Sequence, residues 1–182
     1  MIETPRIGIL PLYLQLYEEV RPEFTPTVRS FAKTVAERLR EAGLQVELGD
    51  IGRAEPGIER IVDGLLDRDI DLLATLHLAY SPSLESVYVL ADLDIPIVLL
   101  DTTPSATFGT DATGDDMMAN HGIHGVQDLA CMLRRNSRQY GVVAGHIDDD
   151  GFVADVLSAA QAARARRSLR SSTTLVVGDE FE

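Results

Sequence analysis

Ile70-Asp71-Leu72-Leu73-Ala74-Thr75-Leu76-His77-Leu78 is apolar except for Asp71, Thr75 and His77. A run of that length and composition is the pattern of a central parallel strand buried on both faces, and it places His77 at the strand's carboxyl end. Ahead of it, Ile58, Ile61, Val62, Leu65 and Leu66 recur at helical spacing after Pro56, and Leu44-Gln45-Val46-Glu47-Leu48 alternates like a strand with one wetter face. Thr25-Pro26 opens an earlier helix, with Val28, Phe31, Ala32, Val35 and Leu39 as its apolar stripe and Gly43 as its stop. Ile7-Gly8-Ile9-Leu10 reads as the first strand, followed by an aromatic-rich loop from Leu12 to Glu19 that holds Gln15 and Tyr17.

Beyond the central run, Ser81-Pro82 predicts another helix start, and Ile95 to Leu100 a fourth strand. The polar stretch Asp101 to Asp116 is long for a connection in a compact domain, and such loops are usually functional or disordered. Asn120-His121-Gly122-Ile123-His124-Gly125-Val126-Gln127-Asp128 then merges into a helix through Leu129, Ala130 and Leu133. Cys131 is expected as core filler on that helix. Tyr140 to Ala144 reads as a fifth strand ending at Gly145-His146, Ala154 to Ala165 as a helix, and Thr174 to Val177 as a sixth strand. Arg164, Arg166, Arg167 and Arg170 cluster near the end of the last helix, where positive charge suits the carbonyl end of the dipole and the solvent.

Strands and helices alternating in this way predict a three-layer, doubly wound α/β fold of the Rossmann or flavodoxin type, with a mostly parallel sheet of five to six strands. Residues 1–170 are expected to form this domain, and 171–182 to begin a connection to a following one. The 182 residues, 45% hydrophobic with a mean hydropathy near zero, suit one domain with a full core. A formal net charge of −13 argues against nucleic acid and anionic membrane surfaces as partners. A single cysteine, with no signal segment and no long apolar run, makes the cytoplasm the expected location.

In open parallel sheets ligands bind beyond the carboxyl ends of the strands, and all four histidines fall on that side. His121 and His124, with Asp128 four residues later, leave three readings open: backbone-bonded or solvated imidazoles, sugar-hydroxyl contacts, or metal ligation. The glycines beside them are expected to let a ligand approach the backbone. His77 and His146 read first as hydrogen-bonded strand-end histidines, with His77 also carried as a candidate ligand contact. Tyr13 and Tyr17 suit edge packing or the apolar face of a sugar. No Gly-x-Gly-x-x-Gly follows the first strand, and there is no Gly-x-x-x-x-Gly-Lys and no Gly-x-Ser-x-Gly, so dinucleotide, nucleotide-triphosphate and hydrolase readings lose their usual support.

Leu76 to Ser86, Leu100-Asp101-Thr102-Thr103-Pro104, Asn120 to Asp128 and Ala144-Gly145-His146, with Leu10-Pro11-Leu12-Tyr13 ahead of them, resemble the N-terminal domain of the L-arabinose isomerase and L-fucose isomerase family along nearly the whole chain. The resemblance implies an aldose-ketose isomerase (EC 5.3.1.-) that moves hydrogen between C1 and C2 of an open-chain sugar with the help of manganese. It also implies that the metal ligands and catalytic glutamates lie in later domains, outside this chain, so that the chain has no catalytic or metal residue of its own and is inactive alone. The full-length protein is then expected to be a trimer or hexamer in which this domain reaches a neighbouring subunit's active site. A histidine matching His124 contacts the sugar in the family, His121 and Tyr17 match neighbouring substrate positions, and His121 stands where arabinose isomerases carry glutamine. With Gln15 and His77, these complete the expected substrate-binding set. The alternative is a stand-alone, non-catalytic module that binds a sugar or effector, since fold does not fix function; a further rival is a small metal hydrolase built on His121 and His124.

Overall fold

The computed structural model describes residues 4–175, 177 and 178. Its sheet has five strands, all parallel, in the order β2-β1-β3-β4-β5: β1 is Arg6–Leu12, β2 Gln45–Leu48, β3 Leu72–His77, β4 Ile97–Asp101 and β5 Gly141–Ala144. The predicted central strand is therefore central, its six residues all buried. The chain leaves β1 outward to β2, then crosses back and builds β3, β4 and β5 on the other side. The order thus reverses between β1 and β3, and in such sheets ligands bind beyond the carboxyl ends of the strands at that point.

Alternate side chains of each strand supply two cores. Ile7, Ile9, Leu72, Ala74, Leu76, Val98 and Leu100 pack with α2 (Thr25–Glu41) and α7 (Asp150–Ser171), chiefly through Val28, Phe31, Val35, Leu39, Phe152 and Val156. Leu10, Leu12, Leu73, Ile97 and Leu99 face α3 (Glu55–Leu66), α4 (Val87–Ala91) and α6 (Gly122–Arg135). A leucine buried as fully as Leu73 or Leu99 stabilises the fold by about 2 kcal/mol relative to its exposed state. Two cores on one sheet give the three layers. Among the described residues no helix is long and apolar enough to cross a membrane.

The structure departs from the sequence pattern in several places. The expected loop after β1 is helical over Gln15–Val20 (α1), and the long polar loop carries a short helix, Gly114–Ala119 (α5), closed by a Thr113–Asp116 capping box. No helix starts at Ser81-Pro82. The backbone N–H of Ser83 donates to Asp128 at 3.1 Å and Pro82 stays extended, so only a single 3-10 turn, Ser83–Glu85, precedes α4. Cys131 is exposed rather than core, because the buried stripe of α6 runs through Gly122, Gly125, Val126, Leu129 and Leu133 and leaves position 131 outside it. The last helix extends to Ser171. Thr174, Leu175 and Val177 form no sixth strand and are exposed, while Val176 lies outside the described residues.

The arginines at the end of α7 do more than face solvent. Asp71, buried at the amino end of β3, accepts from the Arg6 backbone N–H at 2.9 Å and from Arg164 and Arg167 at 3.2 and 3.4 Å. Arg167 also pairs with Asp69, and Arg166 and Arg170 with Asp94. These contacts tie the end of α7 to the segments leading into β3 and β4. Removing one partner of a buried pair strands the other, so Asp71→Ala is expected to lose about 3 kcal/mol of stability. Asp94→Ala, at an exposed pair, is expected to move the urea midpoint far less; equilibrium denaturation of both variants checks the contrast.

Candidate functional site

The site is built on the carboxyl end of β3. His77 is 2% exposed; its Nδ1 lies 2.7 Å from Ser81 Oγ and its Nε2 3.1 Å from Thr75 Oγ1. Both ring nitrogens are thus engaged inside the protein, and burial pushes the imidazole down to about 3, against a weaker opposing pull from the Asp128 carboxylate. His77 is therefore a neutral internal strut and offers no free nitrogen to the cleft, which removes it from the expected ligand contacts. The opening of α6 presses directly on it. A Cβ on Gly122 would sit 2.7 Å from the His77 carbonyl oxygen, and one on Gly125 2.7 Å from its Nδ1 and 2.9 Å from Ser81 Oγ. These glycines admit the protein's own histidine strand end, where the sequence had suggested a ligand.

That close approach sets the rest of the segment. With Gly122 and Gly125 against β3, the intervening and flanking histidines point outward: His121 and His124 are both exposed, their rings stacked with centroids 4.2 Å apart and planes 28° from parallel. The edge of His121 meets Tyr80 at 6.4 Å in a T-shaped contact. Tyr80 donates to Asp128 at 3.4 Å, the same carboxylate that holds the Ser83 N–H. Burial raises the Tyr80 phenol above its ordinary value, and the Asp128 charge, the Asp128 hydrogen bond and nearby Tyr17 add to the rise. Asn120 is committed to the loop after β4: its Oδ1 accepts from the Ser105 N–H at 3.0 Å, and its Nδ2 donates to the Asp116 carbonyl at 2.7 Å.

The other wall comes from β1. Tyr13 is buried and its ring lies 5.9 Å from that of Tyr17, tilted by 56°. Tyr17 is half-buried on α1, and exposed Gln15 donates to Glu19 at 2.9 Å. Leu14, just before α1, donates its N–H to the Tyr80 carbonyl at 3.0 Å, so Gln15 and Tyr17 flank the histidine wall. An Arg53–Glu18 ion pair ties α1 to the segment after β2, and Arg21–Asp115 at 2.9 Å ties its far end to α5. His146 stands apart, in a cleft on the α2 side with Thr27, Ser30 and Thr34; its Nδ1 accepts from the Asp148 N–H at 3.3 Å. At the end of β4 half-buried Asp101 has its carboxyl pushed up by burial.

Among the described residues no three His, Cys, Asp or Glu side chains gather where they could hold a metal ion. Asp128, on the same helix as the histidine pair, is already bonded to Ser83 and Tyr80. What the arrangement offers is two imidazole edges able to donate or accept hydrogen bonds, beside aromatic rings. The sequence pattern marks Ser81 only as a helix start and Tyr80 only as part of the Leu76–Ser86 stretch, with a site role for neither. The signal available for them was the spacing of Gly122 and Gly125, three apart on one helix face, which announces that something must approach closely.

No family model matches the chain, and no curated protein does. Among solved structures the chain is similar to a gut microbial diltiazem-metabolizing enzyme, at 12% identity and a TM-score of 0.40, over 79% of this chain and 38% of that one. It is also similar to the Lac repressor bound to ONPG in the repressed state, at 14% identity and a TM-score of 0.37, over 79% of this chain and 48% of that one. The chain spans less than half the length of either, and at that distance neither bears on the chemistry of the site.

The buried His77 gives the fold a pH dependence. Its folded value lies below its unfolded one, so the unfolded chain takes the proton first; the stability His77 contributes is complete above pH 6.5 and is lost as pH falls toward 3. The loss approaches about 1.4 kcal/mol per pH unit below that point. Urea midpoints measured between pH 7 and pH 5 are expected to fall in the wild type and to flatten in His77→Gln. Gly125→Ala is expected to cost about 2 kcal/mol at neutral pH through overpacking against His77 and Ser81, read by the same denaturation.

Proposed function

We propose that this chain is the substrate-site domain of an aldose-ketose isomerase for L-arabinose- or L-fucose-like sugars, working in the cytoplasm as part of a homo-oligomer. The observation that carries the reading is the exposed His121–His124 stack beyond the carboxyl end of β3, near the reversal of strand order between β1 and β3. Sugars are bound through hydroxyls that both donate and accept and through apolar C–H faces, which imidazole edges and aromatic rings meet. A net charge of −13 suits a neutral ligand of this kind.

In this reading the chain's own residues bind and orient and do not perform the hydrogen transfer. His124 and His121 hold sugar hydroxyls, Tyr17 and Gln15 close the opposite side, and Asp128 steadies the histidine wall. The Lewis-acid polarisation of sugar oxygens that such an isomerase needs would be supplied by manganese. The residues here do not fit it: manganese favours carboxylate and water oxygens, whereas the exposed pair is imidazole and Asp128 is occupied. The metal and the acid-base groups belong, on this proposal, to residues outside the 182.

In the complete protein, His124→Ala is expected to lower kcat/KM for the sugar about tenfold, the scale of one lost hydrogen bond to a substrate, with bound manganese unchanged. Loss of manganese in that variant would assign the pair to metal instead. Sugar binding without isomerisation by the wild-type protein would favour the stand-alone binding module.

A further inference from the structure

Tyr80 is the residue at which the separate walls of the cleft meet. Its backbone carbonyl accepts from the N–H of Leu14, the residue that introduces α1 with Gln15 and Tyr17. Its hydroxyl donates to Asp128 on α6, and the edge of His121, at the head of the same helix, packs against its ring. The preceding residue shows how it is aimed. Ala79 is 1% exposed and has φ of 54°, in the left-handed region that a residue with a Cβ seldom adopts. A strained, buried alanine persists only where its surroundings over-determine it, and here the surroundings are the Gly122 approach on one side and the Leu12 carbonyl, which accepts from the Leu78 N–H, on the other. A regular continuation of β3 would put side chain 80 on the face of Leu76 and Leu78, opposite the one that α6 covers.

We propose that Tyr80 is a positioning residue of this site: its ring and its Asp128-held hydroxyl keep His121 stacked on His124, and its carbonyl holds the Gln15–Tyr17 turn in the same register. The inference rests on reading the cleft as a ligand site, but its geometric part stands on the chain alone. Tyrosine suits the task because one rigid ring reaches His121 at its edge and Asp128 at its tip; phenylalanine keeps the first contact and loses the second, and leucine loses both. Other residues of the wall cannot substitute, since Ser83 already uses Asp128 through its backbone and Asn120 is committed to Ser105 and Asp116.

The test is proton cross-relaxation between the imidazole rings of His121 and His124, measured by NMR on the chain itself at a pH where both are neutral. Wild type is expected to give a clear inter-ring signal, Tyr80→Leu to lose more than half of it, and Tyr80→Phe and Asp128→Asn to fall between. Tyr88→Leu, at an exposed position on α4, is expected to leave it unchanged. Retention of the His77 ring signals reports that each variant is folded; if Tyr80→Leu fails that check, Tyr80→Phe and Asp128→Asn decide. An undiminished signal in the folded Tyr80 variants, or equal loss in Tyr88→Leu, overturns the proposal. In the complete protein, the sugar KM of Tyr80→Phe should rise with kcat little changed. Cross-relaxation lost in Tyr80→Leu while His124→Ala leaves the sugar kinetics untouched would keep the positioning role and discard the sugar reading, and the reverse pair of results would do the opposite.

Discussion

The site depends on one close approach, that of the first turn of α6 onto the carboxyl end of β3. Gly122 and Gly125 leave no room for any other residue there without displacing the His77 backbone or ring. His77 can be buried at this contact only because Thr75 and Ser81 engage both its nitrogens, and because it stays neutral; an imidazole left unbonded, or charged, would be costly in the same place. Once the helix is seated, the positions of His121 and His124 follow from helix geometry, since residues three apart share a face. The buried histidine thus acts as the mould for the exposed pair.

The two ends of the sheet carry different kinds of polar structure, and the difference decides which end can bind. At the amino end, buried Asp71 takes the guanidinium groups of Arg164 and Arg167 and the Arg6 backbone N–H, and Asp94 takes Arg166 and Arg170: charges meet charges, and the result is a fastening. At the carboxyl end the charged side chains sit around the rim, as Arg53–Glu18 and Arg21–Asp115. Between them are hydroxyls, imidazoles and aromatic rings. Arg21–Asp115 is exposed and adds little stability, whereas Arg53–Glu18 is partly buried; together they tie α1 to the segment after β2 and to α5.

Much of this was legible in the residue pattern, and the rest was hidden for identifiable reasons. The apolar run at Ile70–Leu78 and the periodic helices around it point to a parallel sheet, because burial on both faces leaves few other arrangements, whereas the strand order β2-β1-β3-β4-β5 is a property of the structure that right-handed crossovers alone do not fix. Local periodicity reached its limit where a distant residue intervened. Ser81-Pro82 looks like a helix start, but Asp128, 45 positions away, takes the Ser83 N–H and delays the helix. Cys131 looked apolar and was placed by residue type instead of phase, whereas Gly122, Gly125 and Leu129 define the buried stripe and exclude it. The same glycines were legible as small residues, but what they make room for is a property of β3 and could be read only with the strand in place.

The contrast between the buried and the exposed histidines also limits the chemistry. His77, held neutral by burial and with both nitrogens bonded internally, offers neither a ligand contact nor a proton to the site. The exposed pair is free to bond, but parallel stacking directs ring edges outward side by side, which suits neighbouring hydroxyls on one molecule better than convergence on a single ion. Acid-base work at a carbon would further require a group poised to take a proton near neutral pH, with a stabiliser for the oxygen that gains charge. Asp128 lies on the same helix as the pair, and its Oδ2 accepts from both the Ser83 N–H and the Tyr80 hydroxyl. The polar residues at this end of the sheet are arranged to fix one another's positions: Asp128 holds Ser83 and Tyr80, Tyr80 meets His121, and Thr75 and Ser81 hold His77.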